Sequence, residues 1–185
     1  MLTQEVVKIP SATGRIRYME KDGSEYVLYL VERKYNSEKK YSEPEWVLIG
    51  KRIKKMPSLM YPNDSYDQYF GEETETMEEA MTPEELLYAR NNGTYGLYSP
   101  FFDGMYHEFK QQTRKKADEP VNAYKAERIN NVLRPLQDMM KDEAYAGFLG
   151  LIKAGDGEGG MSYSDAMILL TQYKTALGKY HKNRL

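Results

Sequence analysis

The chain has 185 residues, 41% apolar and 29% charged, with a formal net charge of −2 and no cysteine. This composition fits an ordinary globular protein and excludes disulfides, zinc–thiolate sites and thiol nucleophiles. Charge is unevenly placed, +4 over residues 1–60, −8 over 61–90 and +2 over 91–185, so distinct surfaces are expected rather than one polyelectrolyte. No apolar run approaches the ~20 residues of a membrane span. Residues 1–10 lack an apolar signal core, and the absence of cysteine suits a reducing compartment, so a cytoplasmic protein is expected.

Val6, Val7 and Ile9 precede Pro10 and predict a short edge strand. Arg15–Glu20 alternates and Asp22-Gly23 follows it, a strong hairpin signal. Tyr26–Val31 is a run of β-branched, aromatic and aliphatic residues that predicts a buried strand. Trp46–Ile53 is a second apolar run, with Val47, Ile49 and Ile53 on one face. Between them Glu32–Tyr41 forms a polar tip. Together these segments predict an antiparallel three-stranded meander with Tyr26–Val31 in the middle. Residues 56–64 contain two prolines and predict an extended or turn path. The aromatics of Ser65–Phe70 are expected to pack back on the sheet.

Glu72, Glu73, Glu75, Glu78 and Glu79 then form an acidic belt. Thr82-Pro83-Glu84-Glu85 is a helix start with a capping box, and Asn92-Gly93 predicts its end. Thr94–Phe109, with Ser99-Pro100 and Asp103-Gly104, predicts an irregular connection pinned by its rings. A helical turn follows into Lys110–Lys116. From Asp118 the apolar spacing is helical, and Pro135 predicts a kink or break near Asn131–Arg134. The helical pattern continues over Ala144–Ile152. Gly155–Gly160 is a loop. Ser162 and Asp165 cap a final helix whose stripe is Ala166, Leu169, Leu170, Tyr173, Leu177 and Tyr180. The expected fold is α+β, with a β-rich module over residues 1–70 and a helical region over 71–185. Those helices pack on the sheet or form a bundle of their own.

The tyrosine-rich strand and lysine-rich tip lead into Ile49-Gly50-Lys51, then Tyr61-Pro62-Asn63-Asp64 and Tyr69-Phe70. In this order residues 15–70 resemble the N-terminal module of insertion-sequence transposases, with its "IGK" strand end and "PN" before an aromatic pair. The remaining chain resembles no catalytic domain with three metal-binding acids, so transposase chemistry is not implied. The resemblance implies an origin among mobile elements and a head that faces nucleic acid.

The main candidate site is basic. Arg33, Lys34, Lys39 and Lys40 lie on the tip, and Lys51, Arg52, Lys54 and Lys55 on or after the exit strand. Tyr35, Tyr41 and Trp46 interleave. Such cations neutralise phosphates, and the rings stack on bases. The same lysines also suit a solvated hairpin that resists edge aggregation, and Glu32, Glu38, Glu43 and Glu45 dilute the field. Lys110, Arg114, Lys115 and Lys116 form a second patch, which a helix C-terminus favours without any ligand. The belt Glu72–Glu79 either imitates a phosphate backbone or serves as a linker. Asp156–Gly160 fails the spacing of a calcium loop. His107 and His181 are thin material for a triad or a zinc site. Acid pairs such as Asp64 and Asp67 have the chemistry to bind magnesium for nuclease work, but nothing distinguishes them from turn residues. The seventeen tyrosines suit surfaces that bury against a partner, and equally half-exposed cores, where most of them are expected.

The expectation is a non-enzymatic protein of mobile-element or phage type, with no cofactor, no metal site and no membrane partner. It would bind DNA, RNA or a nucleoprotein machine. Its most concrete form is an anti-CRISPR-type inhibitor that occludes the DNA- or guide-binding surface of an RNA-guided nuclease. The alternatives are a DNA-binding accessory protein that uses the basic hairpin and a metal-dependent nuclease that uses scattered acids.

Overall fold

Asp22 and Gly23 take positive φ values of 51° and 68°, as a two-residue Asp-Gly hairpin requires. They join β2 (Ile16–Lys21) to β3 (Ser24–Asn36). The structure, a computed structural model, describes residues 5–12, 14–71, 80–155 and 160–185. It is α+β and divides into two units, Met1–Gly93 and Thr94–Leu185.

The first unit holds an antiparallel sheet of order β1-β5-β4-β3-β2, with β1 at Val7–Lys8, β4 at Tyr41–Arg52 and β5 at Leu59–Pro62. The expected meander is its β2-β3-β4 part. Two strands extend it to five, because Met60 and Leu59 pair with Val7 and Lys8 while Gly50–Arg52 pair with Pro62–Met60. Pro62 closes β5, where its missing N–H is tolerated. β3 and β4 also run beyond the apolar segments. β2 pairs with β3 only as far as Tyr29, whereas β3 and β4 stay paired out to Asn36 and Tyr41. This leaves a two-stranded arm. At its tip Asn36 Oδ1 accepts the N–H groups of Glu38 and Lys39 at 3.0 and 3.1 Å, a side-chain turn typical of asparagine.

Helix α1 (Asp64–Phe70) is capped by Asn63, whose side chain accepts the Tyr66 N–H. It buries Tyr66 and Phe70 against Val7, Val27, Ile49 and Met60, so these aromatics do pack on the sheet. Tyr29 meets Phe70 edge-on at 4.9 Å. Gly50 has a steric reason: a Cβ there would lie 2.6 Å from the Tyr61 carbonyl oxygen.

Helix α2 (Pro83–Lys116) starts as expected. Thr82 Oγ1 accepts the Glu85 N–H at 3.2 Å, and Glu85 accepts the Thr82 N–H at 2.8 Å. It does not end at Asn92-Gly93, and Thr94–Phe109 is helical rather than irregular. The reason is the stripe of Phe102, Tyr106 and Phe109, spaced i, i+4, i+7 and buried. Its packing outweighs the propensity cost of the intervening glycines and Pro100.

In the second unit, residues 94–116 of α2 join α3 (Ala123–Met139) and α4 (Tyr163–Arg184) around a core that includes Phe102, Leu133, Leu136, Leu170 and Tyr173. Helix α3 runs through Pro135 without the expected break. Leu133 and Leu136 beside it are fully buried, each worth about 1.5–3 kcal/mol, which offsets the ~3 kcal/mol of an interior proline. Ala144–Ile152 is not helical beyond a 3₁₀ turn at Ala146–Phe148. Instead the buried Asn130 side chain holds both the N–H and the C=O of Ile152 at 2.9 Å. The capping box of Ser162 and Asp165 is present.

Candidate functional site

The pairing register sorts the side chains of β2, β3 and β4 onto two faces. Tyr18 opposes Val27, and Glu20 opposes Glu25. Register shifts follow Val27 and Leu30, after which Glu32 opposes Glu45 and Lys34 opposes Glu43. Glu20, Glu25, Glu32, Glu43 and Glu45 therefore all share the face that carries Val27, Tyr29 and the α1 core. The other face carries Arg17, Met19, Lys21, Tyr26, Leu28, Leu30, Arg33, Tyr35, Ser42, Pro44, Trp46, Leu48 and Lys51. It holds no acid among the residues of these strands.

The two faces differ electrostatically. On the acidic face Lys34 lies between Glu45 at 2.6 Å and Glu32 at 2.9 Å. These carboxylates push its pKa well above the ordinary lysine value. Lys39 pairs with Glu43 at 2.6 Å. Lys39, Asn36 and Tyr41 together hold the Glu43 carboxyl below its usual range. Arg52 pairs with Glu25 at 2.6 Å, donates to the Pro57 carbonyl and stacks 4.5 Å from the Tyr18 ring centre. Tyr41 donates to Glu43. These sequence-predicted residues come together, but as an internally neutralised network.

On the opposite face Arg17, Lys21, Arg33 and Lys51 have no ion-pair partner among the described residues. Their neighbours are mostly apolar or aromatic. Leu30 among them is buried, whereas Tyr35 is 68% exposed, Met19 42% and Leu48 38%, with Trp46 half-buried. Arg33, Tyr35, Trp46 and Lys51 were legible as candidates. Arg17, Met19, Lys21 and Leu48 were not, because the face each takes follows only from the strand register, which between β3 and β4 passes two bulges. The alternation of Arg15–Glu20 was the one signal that placed Arg17 and Met19 together.

The remaining candidates lie elsewhere. Lys40 is an exposed turn residue with a φ of 53°, and Lys54 and Lys55 are exposed beyond the end of β4. Arg114, Lys115 and Lys116 occupy the last turn of α2, with Lys110 a turn or two before them. Lys116 pairs with Glu119 at 2.7 Å. Glu72, Glu73, Glu75, Glu78 and Glu79 lie outside the described residues, as does most of the Asp156–Gly160 loop. Asp64 and Asp67 are in the first turn of α1, where they favour the helix dipole. Among the described residues no three His, Asp or Glu side chains come together as a metal site, and no helix is long and apolar enough to cross a membrane. The second unit has a groove of about 410 Å³ along α2 and α3, lined by Phe101, Met105, Phe109, Tyr124, Lys125 and Arg128 among others. No sequence pattern pointed to it, since Phe101 was expected in an irregular connection.

Comparison of the chain with protein-family models, with curated proteins and with solved structures gives no match.

Proposed function

We propose that this protein acts by binding rather than by catalysis, and that its partner is a nucleic acid, free or within a nucleoprotein machine. One observation carries the reading. The β2-β3-β4 strands segregate their charges, with the carboxylates on one face and Arg17, Lys21, Arg33 and Lys51 on the other. A hairpin that was merely solvated would gain nothing from such sorting. A face to which β2, β3 and β4 contribute no acid, with four cations that have no ion-pair partner among the described residues and with exposed rings, complements phosphates and bases. The likeness of residues 15–70 to a transposase head supports the same partner class.

The anti-CRISPR-type inhibitor is the concrete form in which that partner is an RNA-guided nuclease carrying its guide. The experiment is equilibrium binding of labelled DNA and RNA at two salt concentrations, with such a nuclease absent and present. Salt-sensitive binding to nucleic acid alone supports direct engagement. Binding only to the loaded nuclease, with loss of its target capture, supports the inhibitor form. No binding in either arm overturns the proposal.

A further inference from the structure

Resting on that reading, we infer that the face on which β2, β3 and β4 place no acid takes a single strand, held by stacking on Trp46 and Tyr35, and not a duplex. The arm formed by the distal parts of β3 and β4 has the width of a two-stranded ribbon, a shape that enters a duplex major groove. Glu32, Glu43 and Glu45 lie behind Arg33, Tyr35 and Trp46 on the same short ribbon. A strand laid across the front of β2, β3 and β4 meets Arg17, Lys21, Arg33 and Lys51 and none of these strands' carboxylates. Charge alone would suit either a duplex or a single strand, and the rings distinguish the two.

The apolar surface agrees. Tyr35 and Trp46 share a face, and Ser42, the cross-strand partner of Tyr35, lies four residues before Trp46 on β4. At ~3.3 Å per residue the two rings sit about 13 Å apart along the strand. Met19 and Leu48 leave further apolar area open on this face. A duplex keeps its base faces stacked inside and offers these rings nothing to cover. Unpaired bases offer a π-face each, and binding of this kind is tolerant of sequence.

Trp46 is the only tryptophan of the chain, so its emission reports on this face directly. The test titrates the full chain with oligothymidine, oligoadenosine and a duplex of equal length, following tryptophan quenching and anisotropy. Both single strands should quench Trp46 and bind at least about tenfold more tightly than the duplex. Tyr35→Ala, a substitution of an exposed side chain, should weaken the single strands at least about fivefold and leave the emission spectrum of the free protein unchanged. Equal or tighter binding of the duplex, or quenching that Tyr35→Ala does not weaken, overturns the single-strand inference while the nucleic-acid reading stands. No binding of any of the three overturns both.

Discussion

Arg33 and Lys34 are adjacent in sequence and opposite in role, and alanine at each separates the two faces. Lys34 is already neutralised by Glu32 and Glu45, whereas Arg33 has no acidic partner among the described residues and lies beside Tyr35 and Pro44 on the open face. For a single strand each neutralised phosphate contributes a slope of about −0.7 in log affinity against log salt. If Arg17, Lys21, Arg33 and Lys51 each meet one phosphate, the slope is about −2.8, a loss of roughly 50-fold between about 50 and 200 mM salt. Arg33→Ala should bring the slope to about −2.1 and that loss to roughly 18-fold. Lys34→Ala should leave the slope near about −2.8. It should barely change stability, because exposed ion pairs are weak. The assay is fluorescence anisotropy of a labelled oligothymidine across a salt series. Equal slopes for the two variants, or a larger change for Lys34→Ala, would refute the assignment of faces.

Further predictions concern the scaffold. Glu85, 8% exposed, accepts hydrogen bonds from Ser58 and the Thr82 amide and faces Lys8, and these hold its carboxyl below the usual range. A lowered folded pKa adds stability that is present above the unfolded carboxylate value near ~4.3 and is lost as pH falls through the folded value. Glu85→Gln should therefore cost about 1–3 kcal/mol at neutral pH and progressively less in acid, measured by denaturant unfolding at both pH values; a pH-independent difference would contradict the role. Gly50→Ala would drive its Cβ into the Tyr61 carbonyl and to 2.9 Å from Met60 Sδ, lowering stability by about 1–3 kcal/mol or more; a neutral result in thermal unfolding would contradict the β4–β5 pairing. Asn130→Ala strands the N–H and C=O of Ile152 and should cost about 2–5 kcal/mol, again read by denaturant unfolding.

The short-range chemistry was legible. Asp22-Gly23, Thr82 with Glu85, and Ser162 with Asp165 each set a boundary through contacts within three residues, and each boundary stands in the structure. What failed was punctuation. Asn92-Gly93 predicted a helix end, and Ser99-Pro100 and Asp103-Gly104 an irregular connection, yet the burial of Phe102, Tyr106 and Phe109 decided the state of that segment. At Pro135 the helix likewise continues instead of breaking, between the buried Leu133 and Leu136. For the candidate site, residue types were legible and pairing was not. Lys34, Lys39 and Arg52 look like Arg33 and Lys51 in sequence. Only a register with two bulges shows that carboxylates neutralise the first three.

Tyr35 and Tyr41 allow the most direct measurement, since both are exposed, at 68% and 52%, on opposite faces of one arm. Ultraviolet cross-linking of the protein to oligothymidine, followed by peptide sequencing, reads which face the strand touches. The account predicts adducts on Trp46 and Tyr35. Adducts concentrated on Tyr41 and Tyr18, beside the carboxylates, would contradict it.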